Sequence, residues 1–470
     1  MEVVEQTPDR PALIFQSETY TFSMLRDLSA AFAIRLRDAG VGPNSTVQIQ
    51  ADDLAVVISV MLATSCLGAR LIERAITDKM PLGFPITHSI VVAPEDGIQN
   101  QIIVDQSFSP NKFEALEKEK IWRDSAVDPE TPWIIVSTSG TTGLPKVVGL
   151  SQRLVCKRSD AVRNDFESGV TKFASLFPYS SRPFFARAIA AILNGATIVD
   201  RGPWAFWLES GVNMVAGSLS QVQSFTDIGA QAQKIAKLEV IGAKLLEVDV
   251  VNFLRSFELV DDTYGATETN KTYSNLYSIG LDGLLQTRGH SYESSIEVVD
   301  ENDDLIAAGR PGTVRVKTDC AAEKYLFSVN GETHVLREGW FYPGDIARWG
   351  KNGVLDVIRR TSEDVIVSGS SKINAKLIEF VLKSLNGIVE AAVFTNPKKN
   401  TDEIIAFAVF EEDVNRLQIV ELAKHACRDQ FGKEFVPAKI WPINILPKYE
   451  DGALDRAKCV SMISEAIDAG

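Results

Sequence analysis

The chain has 470 residues, of which 45% are hydrophobic and 23% are charged. These values are typical of globular proteins and exclude a largely disordered or fibrous chain. The formal charge is −14, from 48 basic and 62 acidic residues, so the overall field repels nucleic acid and anionic membranes as main partners.

The length of the chain and its cysteines further restrict the kind of protein that this sequence encodes. A chain of this length exceeds the size at which one hydrophobic core stops growing, so at least two domains are expected. The five cysteines and four histidines are dispersed without a Cys-x-x-Cys pair, which indicates neither a disulfide framework nor a zinc site. The amino-terminal residues do not resemble a signal peptide, and no apolar stretch is long enough to span a bilayer. We therefore expect a cytoplasmic protein.

Strands and helices alternate along the first 200 residues. Residues 21–40 carry apolar side chains at helical spacing that begin after a threonine, Thr21, and end at Gly40, which predicts an amphipathic helix with both end signals. Apolar strands are predicted at 45–50, 134–137 and 196–200, with a helix over 184–195. This alternation predicts an α/β fold whose sheets are largely parallel and covered on both faces.

A second domain is predicted after residue 358. Turns rich in glycine, proline and aromatic residues fill 338–353, and Arg359 and Arg360 follow them. The remaining residues show an α+β pattern that is long enough for an independent small domain. We expect an N-terminal domain of residues 1–358, a C-terminal domain of residues 359–470 and a hinge at about 359–364.

The stretch STSGTTGLPK at 137–146 is the most informative in the chain. Its glycines let the backbone approach a ligand closely, and its small hydroxyl side chains offer hydrogen-bond donors to anionic oxygens. Lys146 adds a cation. Because Val147 follows this lysine, the magnesium-binding hydroxyl of a Walker loop is missing. The stretch predicts a polyphosphate-binding loop, and a solvated loop that binds nothing is the alternative. The predicted binding residues are Thr138, Ser139, Gly140, Thr141, Thr142 and Gly143.

The segment SGTTGLPK resembles the signature loop of the adenylate-forming superfamily, which contains acyl-CoA synthetases, peptide-synthetase adenylation domains and luciferases. Further segments resemble the family's other motifs in the family's order: TPDRPAL at 7–13, GA at 242–243, YGATE at 264–268, GWFYPGD at 339–345 and VSGSSKI at 367–373. The resemblance spans nearly the whole chain. It implies a large α/β N-terminal domain and a small, mobile α+β C-terminal domain.

The resemblance also implies a nucleotide site. Tyr264 would stack on adenine, Thr267 would hydrogen-bond the α-phosphate, Glu268 would bind Mg²⁺ and Asp345 would accept hydrogen bonds from the ribose hydroxyls. Lys146, Thr267 and Glu268 are the predicted catalytic residues. The remaining predicted nucleotide-binding residues are Gly242, Ala243, Gly265, Ala266 and Arg360. The alternatives to a contact of Arg360 with ribose are that Thr361 occupies the aligned position and that Arg359 and Arg360 are solvated charges.

Residues 176–195 resemble the family's segment along the acyl pocket. The predicted substrate residues are Tyr179, Ser180, Arg182 and Phe184, and no carboxylate is among them. Burying an ammonium group without a carboxylate is costly, so the sequence favours an acid other than an ordinary α-amino acid. Arg182 either pairs with a second carboxylate or polar group of the substrate or faces solvent.

The final motif, LPKYEDGALDR at 446–456, has Ala453 where the family has a lysine. The resemblance implies ATP and Mg²⁺, an acyl-AMP made from a small carboxylic acid, and transfer to CoA or to the phosphopantetheine of an acyl or peptidyl carrier protein. Ala453 removes a cation from the adenylation step, unless Lys372, Lys448 or Lys458 replaces it. The alternatives are therefore an active carboxylate–thiol ligase and a nucleotide-binding pseudoenzyme or single-half-reaction member.

Overall fold

The computed structural model describes residues 2–72, 85–94, 100–104, 114–123, 125, 127–138, 146–223, 233–242, 245–300, 302–328, 334–360, 365–368, 371–396, 403–411, 413–447, 458–459 and 461–462. Contacts between residues divide the chain into two compact units. The first comprises residues 1–138 and 147–358, and the second comprises residues 139–146 and 359–470. The mobility of the second unit stays a prediction.

The described residues form eleven α-helices. They are α1 Glu2–Gln6, α2 Phe22–Asp38, α3 Leu54–Leu67, α4 Ala115–Arg123, α5 Gln152–Ala161, α6 Arg182–Leu193, α7 Trp204–Ser210, α8 Leu219–Gln223, α9 Glu247–Phe253, α10 Ala375–Lys383 and α11 Arg416–Phe431. The predicted helix at 21–40 corresponds to α2, where the Thr21 hydroxyl caps the first turn by accepting a hydrogen bond from the Met24 amide at 3.2 Å. Within the described ranges, no helix combines the length and apolar character needed to cross a bilayer.

The described strands number twenty-five. Those that lie wholly or mainly in the first unit are β1 Pro11–Ile14, β2 Thr19–Thr21, β3 Thr46–Ile49, β4 Arg70–Ile72, β5 His88–Val91, β6 Gln101–Ile103, β7 Pro132–Thr138, β8 Lys146–Ser151, β9 Lys172–Ser175, β10 Thr197–Val199, β11 Met214–Ser218, β12 Ile235–Ile241, β13 Phe257–Ala266, β14 Asn270–Ile279, β15 Leu285–Ser291, β16 Ser294–Val299, β17 Gly312–Thr318, β18 Tyr325–Ser328, β19 Asp345–Trp349 and β20 Leu355–Arg360. Lys146 of β8 and Arg359 and Arg360 of β20 belong to the second unit. In the second unit they are β21 Val365–Ser368, β22 Ser371–Asn374, β23 Ile388–Thr395, β24 Ile404–Phe410 and β25 Lys439–Pro442.

Two large sheets organise the first unit. One has the order β15-β14-β13-β12-β11-β9-β10-β1-β2, and the other has the order β18-β8-β7-β4-β3-β5-β6. The strands from β1 through β10, β9, β11 and β12 to β13 pair in parallel, as do β6, β5, β3, β4 and β7. A four-stranded sheet, β16-β17-β19-β20, completes the unit. The predicted α/β class with large, mostly parallel sheets is confirmed.

Helix α6 illustrates how the sequence builds the core of the first unit. Pro183 lies in its first turn, where a missing backbone N–H costs nothing. Its apolar face buries Phe184, Phe185 and Ala188 completely or almost completely in the main hydrophobic cluster. The polar residue at its start, Arg182, is thereby held at a fixed place on the first unit.

The second unit has its own core. Strand β24 pairs antiparallel with β23 and parallel with β25. Helices α10 and α11 contribute Ile378, Leu382, Ala423 and Cys427 to the cluster that covers this sheet. This is the α+β pattern that the sequence predicts for the residues after 358.

Six charged side chains form a largely buried cluster at the nine-stranded sheet of the first unit, with Glu239, Asp261 and Lys271 at its buried centre. Its members are Asp165, Arg187, Lys237, Glu239, Asp261 and Lys271. Lys271 Nζ lies 2.8–2.9 Å from a carboxylate oxygen of each of the three acids. Lys237 Nζ lies 2.6 Å from Asp165 and 2.7 Å from Asp261, and Arg187 Nε lies 2.6 Å from Glu239. Three cations therefore balance three carboxylates.

The carboxylates of Asp165, Glu239 and Asp261 lie close enough together to bind a metal ion, because their oxygen atoms are within 4.8 Å of one another. The two ammonium groups already contact these oxygens at 2.6–2.9 Å. A divalent cation would have to displace both lysines. The cluster is therefore a charge-balanced structural network.

The charged cluster predicts that the folded protein loses stability at acidic pH. Burial alone would raise the pKa of Glu239, but Arg187 and Lys271 hold that pKa well below the usual value of 4.5. A carboxyl whose pKa is lowered by folding stabilises the fold above the pKa of the unfolded chain, and this contribution is lost as the pH falls. We expect the free energy of unfolding to decrease as the pH drops below about 4.5, measured by urea unfolding between pH 7 and 3.

The matched control for that experiment is the exposed pair of Glu130 and Arg153. Glu130→Gln should leave the pH dependence of unfolding nearly unchanged, because exposed pairs contribute little. Glu239→Gln should flatten it. An acid profile that is identical in Glu239→Gln and the unaltered protein would contradict the prediction.

Candidate functional site

The turn between β13 and β14 carries the predicted Thr267 and Glu268. Strand β13 runs parallel to β12, with Thr263 opposite Ile241, and then pairs antiparallel with β14. Residues 267–269 therefore connect the two strands at the carboxyl end of β13. Gly265 is required here because a Cβ atom at this position would lie 2.2 Å from the Asn270 carbonyl oxygen. Both side chains are largely buried, with Thr267 8% and Glu268 4% exposed.

The predicted adenine and ribose residues lie in direct contact. The Tyr264 hydroxyl donates a hydrogen bond to Asp345 Oδ2 at 2.7 Å. Asp345 begins β19 and is fully buried, and Gly344 before it has φ +77°, which favours glycine. Two motifs that are distant in the sequence thus meet in the fold of the first unit.

Thr267 and Glu268 each contact a side chain from another segment. Thr267 Oγ1 accepts a hydrogen bond from the Arg182 guanidinium at the start of α6. Glu268 Oε1 accepts a hydrogen bond from the Tyr325 hydroxyl at 3.2 Å. Arg182, predicted from the acyl-pocket segment, is therefore brought to the predicted phosphate-binding threonine.

Arg158, on α5, is a further residue of this site, and sequence reasoning missed it. Its guanidinium donates hydrogen bonds to the carbonyl oxygens of Thr267, Glu268 and Cys320 at 3.0, 2.8 and 2.9 Å. Burial, with the nearby charge of Arg182 acting in the same direction, lowers the pKa of Arg158 to about 10. The sequence signal was its position between Val155 and Val162 on the apolar face of the helix, where a charged residue is unexpected.

The remaining predicted substrate residues lie inside the first unit. The Tyr179 hydroxyl donates to Asp200 at 2.5 Å, its amide donates to Asp52 at 2.7 Å, and the Arg201 guanidinium lies 4.0 Å from its ring centroid. Burial, followed by the contact with Asp200, raises the pKa of Tyr179. Ser180 is 5% exposed. Phe184 packs in the main core, with its ring centroid 4.8 Å from that of Tyr179. Their contact with a substrate stays a prediction.

A small cavity lies beside Arg158 and Arg182. Its volume is about 50 Å³, and its walls are mostly apolar, with Val136, Leu150 and Phe185 among them. A volume of this size holds one or two waters or a short apolar group.

The other predicted site residues fall into two groups. Thr138 ends β7, Lys146 begins β8 with its side chain buried, Gly242 has φ +88°, Ala266 ends β13 and Arg360 ends β20. Outside the described residues lie Ser139, Gly140, Thr141, Thr142, Gly143, Ala243 and Ala453.

Comparison with known proteins gives one family match and several relatives. A family model described as "AMP-binding enzyme" matches residues 1–74 and 85–326. The chain is 22% identical to 2-succinylbenzoate–CoA ligase of Bacillus subtilis (strain 168), over 97% of this chain and 96% of that protein. It is 23% identical to surfactin synthase subunit 1 of the same organism, over 99% of this chain and 14% of that protein. The chain thus spans about one seventh of that larger relative.

Solved structures share the fold. O-succinylbenzoate coenzyme A synthetase from Bacillus subtilis, in complex with ATP and magnesium ion, superimposes with a TM-score of 0.61. That comparison covers 97% of this chain and 98% of the other, at 20% sequence identity.

Proposed function

Since this chain belongs to the AMP-binding enzyme family, the adenylate-forming enzymes predicted from its motifs, we propose that it activates a carboxylic acid with ATP and transfers the acyl group to a thiol. The observation that supports this proposal most directly is the contact between Tyr264 and Asp345 at 2.7 Å, with Thr267 and Glu268 in the adjoining turn. Residues with the predicted adenine, ribose, phosphate and metal roles thus adjoin one another within the first unit.

In the proposed first step, an oxygen of the substrate carboxylate attacks the α-phosphorus of ATP. A new P–O bond forms, the bond to the β-phosphate oxygen breaks, and pyrophosphate leaves with its electron pair. Thr267 would donate its hydroxyl to the α-phosphate, and Arg182, which contacts Thr267, would add positive charge beside it.

Magnesium fits the residues present. The Glu268 carboxylate is a hard oxygen ligand, and the Tyr325 hydroxyl orients it from one side. Bound there, the ion would offset the charge of the phosphates. The related synthetase was solved with ATP and magnesium ion, which supports the same cofactors here.

For the thiol acceptor and the carboxylic acid substrate, only the chemical class is proposed. The name of the related 2-succinylbenzoate–CoA ligase supports CoA as the thiol. The motif resemblance to peptide-synthetase adenylation domains supports a carrier-protein phosphopantetheine as the alternative acceptor. The segment with Tyr179, Ser180, Arg182 and Phe184 contains no carboxylate, which favours an acid without an α-ammonium group. The proposed setting is the cytoplasm, with no nucleic acid or membrane partner.

One observation favours a second function. Ala453 stands where the family has a lysine, and a methyl group cannot stabilise charge that develops on the phosphate. A nucleotide-binding pseudoenzyme, or a member that performs only the thiol-transfer half-reaction, would retain the contacts described above.

Pyrophosphate exchange into ATP separates these functions. The assay uses the full chain with Mg²⁺ and a panel of aryl, fatty, hydroxy and amino acids. Exchange that depends on one class of acid would support the ligase. Tight ATP binding without exchange for any acid would favour the second function, and absence of ATP binding would refute both.

Lys146→Ala tests the phosphate loop. Loss of a cation beside the triphosphate should weaken ATP binding about tenfold, or roughly 1.4 kcal/mol. Isothermal titration with ATP and Mg²⁺ measures this. Lys157→Ala is the control, because Lys157 forms an exposed ion pair with Asp319 at 3.2 Å. Unchanged nucleotide affinity and unchanged exchange in Lys146→Ala would remove this residue from the site.

A further inference from the structure

Arg158 makes an unusual set of contacts for a buried arginine. It is 8% exposed, and its three guanidinium nitrogens donate to three backbone carbonyls, at 2.8–3.0 Å. Two of these carbonyls belong to Thr267 and Glu268, and the third belongs to Cys320, just after β17. In the described part of the chain, no carboxylate forms an ion pair with it.

A guanidinium bound in this way restricts the turn more than a single hydrogen bond would. Its planar fork fixes the two consecutive carbonyl groups relative to each other. The Ala322 amide also donates to the Glu268 carbonyl, at 2.7 Å. The peptide groups on both sides of Glu268 are therefore held, which sets the direction in which its side chain leaves the backbone.

Stability alone gives little reason for this arrangement. A buried charge that forms no direct ion pair is costly even with the Glu268 carboxylate nearby, and an apolar residue at this position of α5 would pack against Val155 and Val162 without that cost. The charge instead lies behind the two residues that the proposed function assigns to phosphate and metal binding.

We propose that Arg158 is a positioning residue that, by holding the turn of Thr267 and Glu268, keeps the Glu268 carboxylate in the geometry needed to bind Mg²⁺. The inference rests on the proposed function for the roles of these two residues. Arg158 itself acts through their backbone and touches neither the nucleotide nor the metal.

The test is the Mg²⁺ dependence of ATP binding by the full chain, which requires neither the acid nor the thiol. Arg158→Met should raise the Mg²⁺ concentration at half-saturation about 10–100-fold, the range for losing a residue that orients a metal ligand. Binding of ATP in EDTA should change less than about threefold. Glu268→Gln should shift the Mg²⁺ dependence in the same direction.

Two further variants make the result specific. Arg158→Lys keeps the charge but has one nitrogen in place of three, so it should recover part of the loss, and it also serves as the test if the methionine variant does not fold. Arg153→Met is the control, because Arg153 lies on the same helix in an exposed pair with Glu130. It should bind as the unaltered protein does.

The outcomes separate this inference from the proposed function. If the unaltered chain binds no ATP in Mg²⁺, the proposed function fails. If it binds ATP in a Mg²⁺-dependent way and the folded Arg158 variants retain its Mg²⁺ half-saturation, only the positioning role fails. Equal weakening of ATP binding in Mg²⁺ and in EDTA would likewise overturn the positioning role, because it would indicate a general structural effect.

Discussion

Lys271→Met should lower the free energy of unfolding by about 3–5 kcal/mol, the usual result of removing one partner from a buried ionic network. Lys271 is 8% exposed and contacts Asp165, Glu239 and Asp261 at 2.8–2.9 Å. Methionine fills a similar volume but leaves three carboxylates with two cations. Urea unfolding of the full chain at pH 7 gives the difference.

Two controls make the Lys271 result interpretable. Lys157→Met removes a lysine from an exposed pair with Asp319 and should cost less than about 1 kcal/mol. Adding Asp261→Asn to Lys271→Met should recover part of the loss, because Asp165 and Glu239 then each keep one cation, Lys237 and Arg187. A loss in Lys271→Met no larger than in Lys157→Met would show that the carboxylates do not depend on this lysine.

The cluster matters to the site because of the elements it joins. Lys271 lies in β14, shortly after the turn with Thr267 and Glu268. Arg187 lies in α6, which begins at Arg182, and it contacts Glu239 in β12. The network therefore connects the helix that carries Arg182 to the two strands that flank the turn with Thr267. Its charges stabilise the framework on which these two residues meet.

Local sequence patterns predicted much of this framework. The apolar spacing and the threonine cap predicted α2, and the alternation of strands and helices predicted the parallel centres of both sheets. These features are determined by residues that lie close together along the chain, so they can be predicted from one sequence. The roles proposed for Tyr264 and Asp345 came from a motif resemblance, and their direct contact became visible only in the fold.

Long-range contacts were not predictable in the same way. Lys237 and Glu239 alternate with Leu238 and Val240 on β12, a pattern that usually indicates one solvated face, yet Glu239 is buried like Leu238 and Val240. The carbonyls bound by Arg158 lie more than a hundred residues away along the chain. No local signal identifies such partners, because they depend on how α5 packs against the turn.

The largest expected change in activity comes from Ala453→Lys. If the missing cation limits adenylation, this substitution should raise acid-dependent pyrophosphate exchange by about 100-fold or more, the usual scale for an electrostatic contact with a transition state. Exchange measured with the acid that the panel identifies, or with the whole panel if none does, provides the test. ATP binding should change much less, because the effect concerns charge that develops during the reaction.

The control for this substitution is Ala453→Met, which adds length without charge and should leave exchange at its original rate. Thiol transfer, started from preformed acyl-AMP, should also be unaffected, because the cation missing at Ala453 is assigned to the adenylation step alone. No gain in Ala453→Lys, together with loss of exchange in a variant of Lys372, Lys448 or Lys458, would show that another lysine already supplies the cation. No gain and no dependence on any of these lysines would instead favour the pseudoenzyme, in which the nucleotide is bound without turnover.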